Sequence, residues 1–228
     1  MARRTKQDAE ATRSRILDTA ELLFEARGVS RTSLNEIALA AGVTRGAIYW
    51  HFRDKADLFN AMMERATLPL ESAVKDSDDP ARLEPLQHMR RSFTEALRQT
   101  AGDPQVRRVF EIATHKVEYV GELEAVRDRH LQARNECLAH VTRGLRLAAA
   151  RGQVSGRIPA RAAAIGLHAL IDGLIQNWML DQTAFDLVRA GEQILDTYLA
   201  GLTLGKEAAP ARPRRIGTKA TALRLART

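Results

Sequence analysis

The side chains best suited to specific molecular recognition lie close together between positions 32 and 55. Arg45 could donate two hydrogen bonds to guanine, while Ala47 or the methyl group of Thr44 could contact the methyl group of thymine. Gly46 leaves room for the backbone to approach DNA closely. Trp50 belongs to the same segment, either packed or half-exposed. Further hydrogen-bond donors that could hold phosphates are Thr32, Ser33, Tyr49, His51 and Lys55.

Two short helices joined by a tight turn would position these side chains. Ser33 and Glu36 have the spacing of a capping box, which satisfies orphan backbone N–H groups at the start of a helix. Ala38 is small enough to lie where two helices cross, and Gly42 can adopt the positive φ that the turn needs. Thr44 can then cap a second helix, whose N-terminal residues would face the major groove. This order of residues predicts a helix-turn-helix.

Helical periodicity continues along the rest of the chain, and no alternating β-branched stretch indicates a strand. We therefore predict an all-α fold of about nine helices, with an N-terminal three-helix helix-turn-helix domain and a C-terminal helical domain. The predicted boundaries are 1–54 and 55–204 for these domains, with a basic, disordered tail at 205–228. The last two helices, predicted at 160–180 and 184–204, are rich in small and apolar residues that could contact both the body and a second subunit.

The net charge of +7 does not by itself indicate a nucleic-acid partner. Residues 206–228 hold seven of the 35 Lys and Arg residues and one of the 28 acidic residues, so the rest of the chain is nearly neutral. The prediction of DNA binding therefore depends on the motif. A solvated extension is the simpler interpretation of the tail, and nonspecific attraction to DNA is the alternative.

Other classes of protein are disfavoured by what the sequence lacks. It has no dinucleotide-binding, P-loop or G-x-S-x-G motif, so we expect no enzyme activity and no cofactor. Cys137 and His140 form a C-x-x-H pair without a second pair, which is too little for structural zinc, and we expect no metal site. A single cysteine, no apolar run of about 20 residues and no secretion signal lead us to expect a cytoplasmic protein without a membrane partner.

The runs from Thr32 to Ala38 and from Gly42 to Lys55 resemble the signature of TetR/AcrR-family transcriptional regulators. The segment 47–52 is especially similar to the branch of AcrR- and TtgR-like repressors of multidrug efflux pumps. The resemblance implies a homodimeric repressor that binds a palindromic double-stranded operator and is released by small apolar or aromatic compounds. It also implies that the fourth helix links the DNA-binding helices to the body, and that the last two helices form a four-helix dimer interface.

By the same resemblance, a ligand cavity should lie between the middle helices and the helix at 160–180. Apolar walls with a few polar anchors would suit aromatic, drug-like effectors. The candidate lining residues are Met89, Phe93, Phe110, Thr114, Cys137, Val141, His168, Ile171, Asp172 and Gln176. Asp172 and Gln176 would orient a hydroxyl group or a cation. The aromatic and methionine candidates could equally be ordinary core residues.

Two positions depart from the pattern of that branch. Phe110 stands where close relatives use a polar residue, and Gln176 replaces a frequent arginine. Both changes bear on which ligand is bound. Two other roles stay open from the sequence. One is a regulator of a metabolic operon that responds to a metabolite, or an activator. The other is a helical ligand-binding or adaptor protein whose N-terminal motif no longer binds DNA.

Overall fold

The computed structural model describes residues 2–75 and 84–203, with side chains from 6–66 and 84–203. Within these ranges all regular structure is helical and no strand is present, which confirms the predicted all-α class. The helices are α1 (Ala2–Arg27), α2 (Leu34–Ala40), α3 (Arg45–His51), α4 (Lys55–Lys75), α5 (Pro85–Gly102), α6 (Pro104–His115), α7 (Glu124–Ala150), α8 (Ala160–Leu180) and α9 (Leu187–Thr203). A short 3-10 turn, Gly121–Leu123, precedes α7. The predicted tail, 205–228, lies outside the described residues.

Local sequence signals explain where several helices begin and end. Gly28 ends α1 with a φ of 82°, a left-handed conformation that glycine adopts without steric cost. The Asp54 carboxylate accepts a hydrogen bond from the backbone N–H of Asp57 at 2.7 Å and caps the start of α4. Asp103 caps α6 in the same way, accepting from the N–H of Gln105 at 2.8 Å.

The helix α8 has the predicted bounds, whereas α9 begins at Leu187 and not at the predicted residue 184. The physical reason is a pair of aspartates in the connection. Asp181 accepts a hydrogen bond from the Thr183 N–H at 2.9 Å and holds a turn there. Asp186 then accepts from the N–H of Arg189 at 2.9 Å and so caps α9.

The first apolar core joins the three N-terminal helices to α4 and α6. Its fully buried side chains include Leu17, Phe24, Ile37, Ile48, Phe52, Phe59, Met62, Val109 and Ile112. At the same junction the Val29 N–H donates a hydrogen bond to the Lys116 carbonyl at 2.9 Å. Because protein interiors are close-packed, a shift of α4 or α6 must be felt by α1, α2 and α3. The predicted division at residue 54 stays a prediction.

The second core lies within the body, between α5, α7, α8 and α9. Its buried side chains include Leu97, Leu145, Leu167, Ile171, Trp178, Leu195 and Leu199. Gly166 of α8 lies against Tyr198 of α9, whose hydroxyl donates to the Ala163 carbonyl at 2.8 Å. A β-carbon at Gly166 would collide with that hydroxyl, so the two helices approach closely because this residue is glycine.

The helices α8 and α9 also carry exposed apolar side chains. Ile165, Leu180 and Ile194 are 48%, 72% and 39% exposed, respectively. Scattered apolar residues are normal at a surface, but these three lie on the same helix pair and leave part of it uncovered in the single chain. Neither these helices nor any other in the described part of the chain has the length and apolar character needed to cross a membrane.

Candidate nucleic-acid interface and body cavity

The connection between α2 and α3 has the geometry of a helix-turn-helix. Gly42 adopts a φ of 64°, where any residue with a β-carbon would be strained. The Val43 N–H donates to the Ala38 carbonyl at 3.0 Å and closes the turn. Ala38 is buried together with Ile37 and Ile48 at the crossing of the two helices. Ala38 and Gly42 therefore have the roles that the sequence predicted.

Side-chain caps define where the two helices start. The Ser33 N–H donates to Glu36 Oε2 at 2.8 Å, and the Glu36 N–H donates to Ser33 Oγ at 3.3 Å, which confirms the capping box. These hydrogen bonds with Ser33 lower the pKa of Glu36 below its usual value. Thr44 Oγ1 accepts from the Ala47 N–H at 3.1 Å and caps α3. The start of α3, and hence the set of side chains on its outer face, is fixed locally.

The outer face of α3 carries Arg45, Tyr49 and Trp50. Tyr49 is 45% exposed and Trp50 is 74% exposed, whereas Ile48 on the opposite face is fully buried. The Arg45 guanidinium carbon lies 5.7 Å from the centre of the Tyr49 ring, within cation–π distance. The Trp50 ring meets the His51 ring edge-on, with 4.6 Å between the ring centres. This face can offer hydrogen bonds to base edges and to phosphates.

Most of the predicted DNA contacts lie at or near the surface. The exposed members of the set are Ser33, Thr44, Arg45, Gly46, Tyr49 and Trp50, and the half-buried ones are Ala47 and His51. Burial lowers the pKa of His51, and the positive charge of nearby Arg13 lowers it further. The His51 ring is therefore neutral at pH 7 and offers one N–H donor.

Two of the predicted phosphate donors, Thr32 and Lys55, are buried. Thr32 is 1% exposed, and its hydroxyl donates to the Gly28 carbonyl at 2.9 Å. Lys55 is 7% exposed, and its ammonium nitrogen lies 2.6 Å from Oε1 of Glu122. In this structure the Thr32 hydroxyl is engaged within the protein, and the Lys55 ammonium is paired with a carboxylate at the edge of a surface groove. Each side chain therefore already has a partner within the protein. Thr32 binds the Gly28 carbonyl just after α1, and Lys55 binds the Glu122 carboxylate just before α7.

Sequence reasoning missed several polar residues around a surface groove of about 510 Å³. The groove is lined by Ser30, Arg31, Thr32, Ser33, Leu34, Asn35, Glu36, Tyr49, Arg53, Asp54, Lys55 and Glu122. Arg31, Asn35 and Arg53 are exposed and were not among the predicted contacts. Their positions beside the capping box and just after α3 were visible signals, because phosphate contacts often come from residues that flank helix starts.

A cavity of about 220 Å³ lies in the body between α4 and α8. Six of the ten predicted ligand contacts line it, namely Phe93, Phe110, Cys137, His168, Ile171 and Asp172. The other lining residues are Phe59, Asn60, Met63, Ala96, Tyr119, Val126, Arg129, His130, Ala133, Arg134, Glu136, His140 and Ile175. The walls are mainly apolar and aromatic, with charged and histidine side chains from α7 and α8. Such a mixture can accept an apolar molecule with a few polar groups.

The remaining four predicted ligand contacts lie outside this lining. Met89 and Val141 are each 1% exposed and belong to the second core. Thr114 is half-buried on α6, and Gln176 is exposed, with its amide donating to Asp172 Oδ2 at 2.7 Å. A residue one helical turn away from a cavity wall lies on the same helix face as the wall residues, with the same spacing along the sequence. The sequence pattern could not separate the two cases.

The cavity wall formed by α4 was also missed. Phe59, Asn60 and Met63 line the cavity, although Phe59 and Met63 also belong to the first core. Their spacing is that of any buried helix face, so no sequence signal distinguished a cavity wall from solid packing. As a result, one helix contacts both the cavity and the core that holds the DNA-binding helices.

His168 is the polar group of the cavity with the clearest electrostatic environment. Burial lowers its pKa, and the electrostatic influence of Arg134 and His130 acts in the same direction. Asp172 acts against them and raises the pKa. In the part of the chain that the structure describes, no three or more His, Cys, Asp or Glu side chains come together in a group that could hold a metal ion.

An exposed recognition helix, joined through a linking helix to a separate helical body, defines the class of helix-turn-helix DNA-binding regulators. Residues 16–62 match the bacterial regulatory proteins of the tetR family, and residues 84–204 match the C-terminal region of MAATS-type transcriptional repressors. The chain belongs to the tetR family and is a DNA-binding transcriptional repressor.

Individual relatives are similar over most of their length. The HTH-type transcriptional regulator TtgR of Pseudomonas putida is 38% identical over 204 residues, which cover 90% of this chain and 97% of TtgR. The crystal structure of NalD, the secondary repressor of the MexAB-OprM multidrug efflux pump in Pseudomonas aeruginosa, is 35% identical with a TM-score of 0.78, covering 86% of this chain and 98% of NalD. A SmeT–triclosan complex is 30% identical with a TM-score of 0.78, covering 89% and 96%. SmeT is the repressor of the Stenotrophomonas maltophilia multidrug efflux pump SmeDEF.

Proposed function

We propose that this protein represses a multidrug efflux operon in the bacterial cytoplasm, binding a palindromic operator as a homodimer and leaving it when an aromatic, drug-like compound binds. The observation that carries the proposal is the position of α4, whose Phe59 and Met63 line the cavity while its first turns pack with the DNA-binding helices. The relatives NalD and SmeT, both named as repressors of multidrug efflux pumps, support the choice of operon.

In the proposed complex, α3 enters the major groove and Arg45 donates to a guanine. Thr44 and Ala47 contact a thymine methyl group, and Gly46 allows close approach of the backbone. Ser33, Tyr49, Trp50 and His51 hold phosphates and set the register, because they lie on α3 or at the start of α2, at or near the surface. Arg31, Asn35 and Arg53 of the adjacent groove extend this phosphate-binding surface.

A homodimer is proposed through α8 and α9. The exposed Ile165, Leu180 and Ile194 would be buried against the same helices of a second subunit, which forms a four-helix interface. A two-fold dimer presents two copies of α3, and half-sites about 34 Å apart would then be read on one face of the DNA.

The proposed effector is apolar or aromatic with a few polar groups. Phe93 and Phe110 would contact its rings, and Asp172 or His168 would bind a polar substituent. SmeT, with triclosan bound, shows such a compound in a relative. Release from DNA follows only if the effector binds more tightly to a conformation with low operator affinity, and the loss of affinity equals that difference.

The test is fluorescence anisotropy with the intergenic DNA upstream of the protein's own gene. We expect salt-sensitive binding that Arg45→Ala abolishes and that the matched control Arg91→Ala, an exposed arginine of α5, retains. Triclosan or another small aromatic drug should weaken the wild-type complex. Binding without any response to drugs would indicate a metabolite-responsive repressor instead. No binding at moderate salt would contradict the proposal altogether.

A further inference from the structure

Glu122 connects the body to the DNA-binding region through one ion pair. It lies on the 3-10 turn before α7, and its Oε1 is 2.6 Å from the ammonium nitrogen of Lys55, the first residue of α4. The Lys55 side chain is 7% exposed and that of Glu122 is 60% exposed. The carboxylate therefore covers a buried cation while it remains open to solvent itself.

The ion pair lies in the groove where phosphates are proposed to bind. Ser33 and Tyr49, two of the proposed phosphate donors, line the groove together with Lys55 and Glu122. A phosphate entering the groove and the Glu122 carboxylate carry the same sign of charge. Both would therefore seek the same ammonium group, and each would repel the other.

We propose that Glu122 gates operator binding by competing with a DNA phosphate for Lys55. In the free protein the ammonium binds Glu122, and in the operator complex it binds the phosphate. Glu122 is thus a positioning residue that acts through Lys55 and opposes DNA binding. Removing its charge should tighten operator binding by about two- to fivefold, the range of a partly exposed ion pair.

The gate is placed to respond to the cavity, an inference that rests on the proposed function. Tyr119 precedes Glu122 and Val126 follows it, and both side chains line the cavity. The Tyr119 hydroxyl donates to the Ala113 carbonyl at 2.8 Å, which holds this segment against α6. A compound that displaces Tyr119 or Val126 therefore moves Glu122 relative to Lys55.

The experiment measures operator dissociation constants of the full-length protein at several KCl concentrations. Glu122→Gln is compared with Glu124→Gln, which removes the same charge at the exposed start of α7, where the described residues include no salt-bridge partner for it. We expect Glu122→Gln to bind about two- to fivefold more tightly than Glu124→Gln. Its dependence on salt should be steeper by about one released ion, because Lys55 no longer exchanges a carboxylate for the phosphate.

Two further variants keep the result interpretable. In a Lys55→Met background, the effect of Glu122→Gln should fall close to that of Glu124→Gln, because the competed cation is gone and only direct repulsion of the phosphate remains. Glu122→Ala serves as a second variant should the glutamine variant prove unstable by circular dichroism, and the same increase in affinity is expected. Triclosan should release Glu122→Gln less completely than it releases the wild type.

Equal affinities of Glu122→Gln and Glu124→Gln, or an equal gain in the Lys55→Met background, would overturn the gate. Weaker binding by Glu122→Gln would also overturn it, since the ion pair would then hold Lys55 in its productive position. A wild-type protein that binds no operator contradicts the proposed repressor function instead, and one that binds but ignores aromatic drugs contradicts the proposed effector. The two proposals therefore fail in different measurements.

Discussion

At the scale of single residues, side-chain caps determine where α2 and α3 begin. The capping residues are Ser33, Glu36 and Thr44. Each satisfies a backbone N–H group that would otherwise lack a partner at a helix start. Because α2 and α3 have only seven residues each, neither gains much stability from its own length. The caps, together with the burial of Ile48, therefore hold Arg45 and Tyr49 on the outer face.

We predict that Thr44→Val weakens both the fold and operator binding. The substitution keeps the shape of the side chain but removes the oxygen that accepts from the Ala47 N–H at 3.1 Å. The free energy of unfolding should fall by about 1 kcal/mol, as for other lost caps, and the operator dissociation constant should rise. Urea unfolding and anisotropy measure the two effects. The control is Thr12→Val, whose hydroxyl donates only to the Asp8 carbonyl within α1, and similar losses in both variants would contradict the prediction.

The protonation of His168 predicts a pH dependence of stability. Its pKa is lowered in the folded state, chiefly by burial, with Arg134 and His130 in the same direction and Asp172 opposing. The folded protein therefore binds fewer protons than the unfolded chain, and stability should decline as pH falls below the ordinary histidine value of 6.5. His168→Asn should reduce that decline, measured as the change in Tm between about pH 7.5 and 5.5. An unaltered pH dependence of Tm in His168→Asn would exclude His168 as its origin.

At the scale of elements, a buried carboxylate ties α1 to both α4 and α6. Glu21 is 1% exposed, accepts a hydrogen bond from Arg65 of α4 and another from the Gln105 amide of α6 at 3.1 Å. Arg108 of α6 lies 3.9 Å from the same carboxylate. A buried charge is tolerated when several donors surround it, as they do here. The network gives the DNA-binding helices a defined orientation on the body.

We predict that a larger residue at Gly166, where α8 packs closely on α9, destabilises the fold. In Gly166→Ala the new methyl group would displace the Tyr198 hydroxyl from the Ala163 carbonyl. The free energy of unfolding should fall by about 1–3 kcal/mol, as expected for overpacking a helix contact. Gly201→Ala in α9 is the matched control, because no atom lies within 4 Å of its β-carbon position. Because alanine has a higher helix propensity than glycine, Gly201→Ala should be neutral or slightly stabilising. A fall in the free energy of unfolding in Gly201→Ala but not in Gly166→Ala would contradict the prediction.

At the scale of the whole molecule, the two cores meet at Phe110 of α6, which packs against both of them. The first core packs the DNA-binding helices against α4 and α6, and the second core lies between α5, α7, α8 and α9. The cavity lies where these cores meet, lined by Phe59 of the first and Ile171 of the second. A compound bound there can therefore change the position of one core relative to the other, which is what a ligand-responsive repressor needs.

Dimerisation is the prediction that belongs to the whole molecule. Ile165→Glu would place a charge in the proposed four-helix interface, where burial without a partner is costly. Sedimentation should show a shift from dimer to monomer, and operator affinity should fall because the half-sites are no longer bound together. Leu131→Glu introduces the same charge at an exposed position of α7 and should change neither quantity. A dimer that survives Ile165→Glu would place the interface elsewhere.

The sequence by itself determined the features that depend on neighbours along the chain. The capping box, the turn at Gly42, the cap at Thr44 and the bounds of α8 follow from contacts within a few residues, so periodicity and residue type were enough to predict them. Six of the ten predicted ligand contacts also line the cavity, because the resemblance identified most of the helices that surround it.

Only the tertiary structure decided which of these residues face solvent, cavity or core. Lys55 and Glu122 are far apart in the sequence, and nothing local to Lys55 predicted that a carboxylate of the body would bind its ammonium. Likewise, the same helical spacing describes Met89 in solid packing and Met63 at the cavity wall. Burial depends on how distant helices pack, and that packing is absent from the local pattern on which sequence reasoning depends.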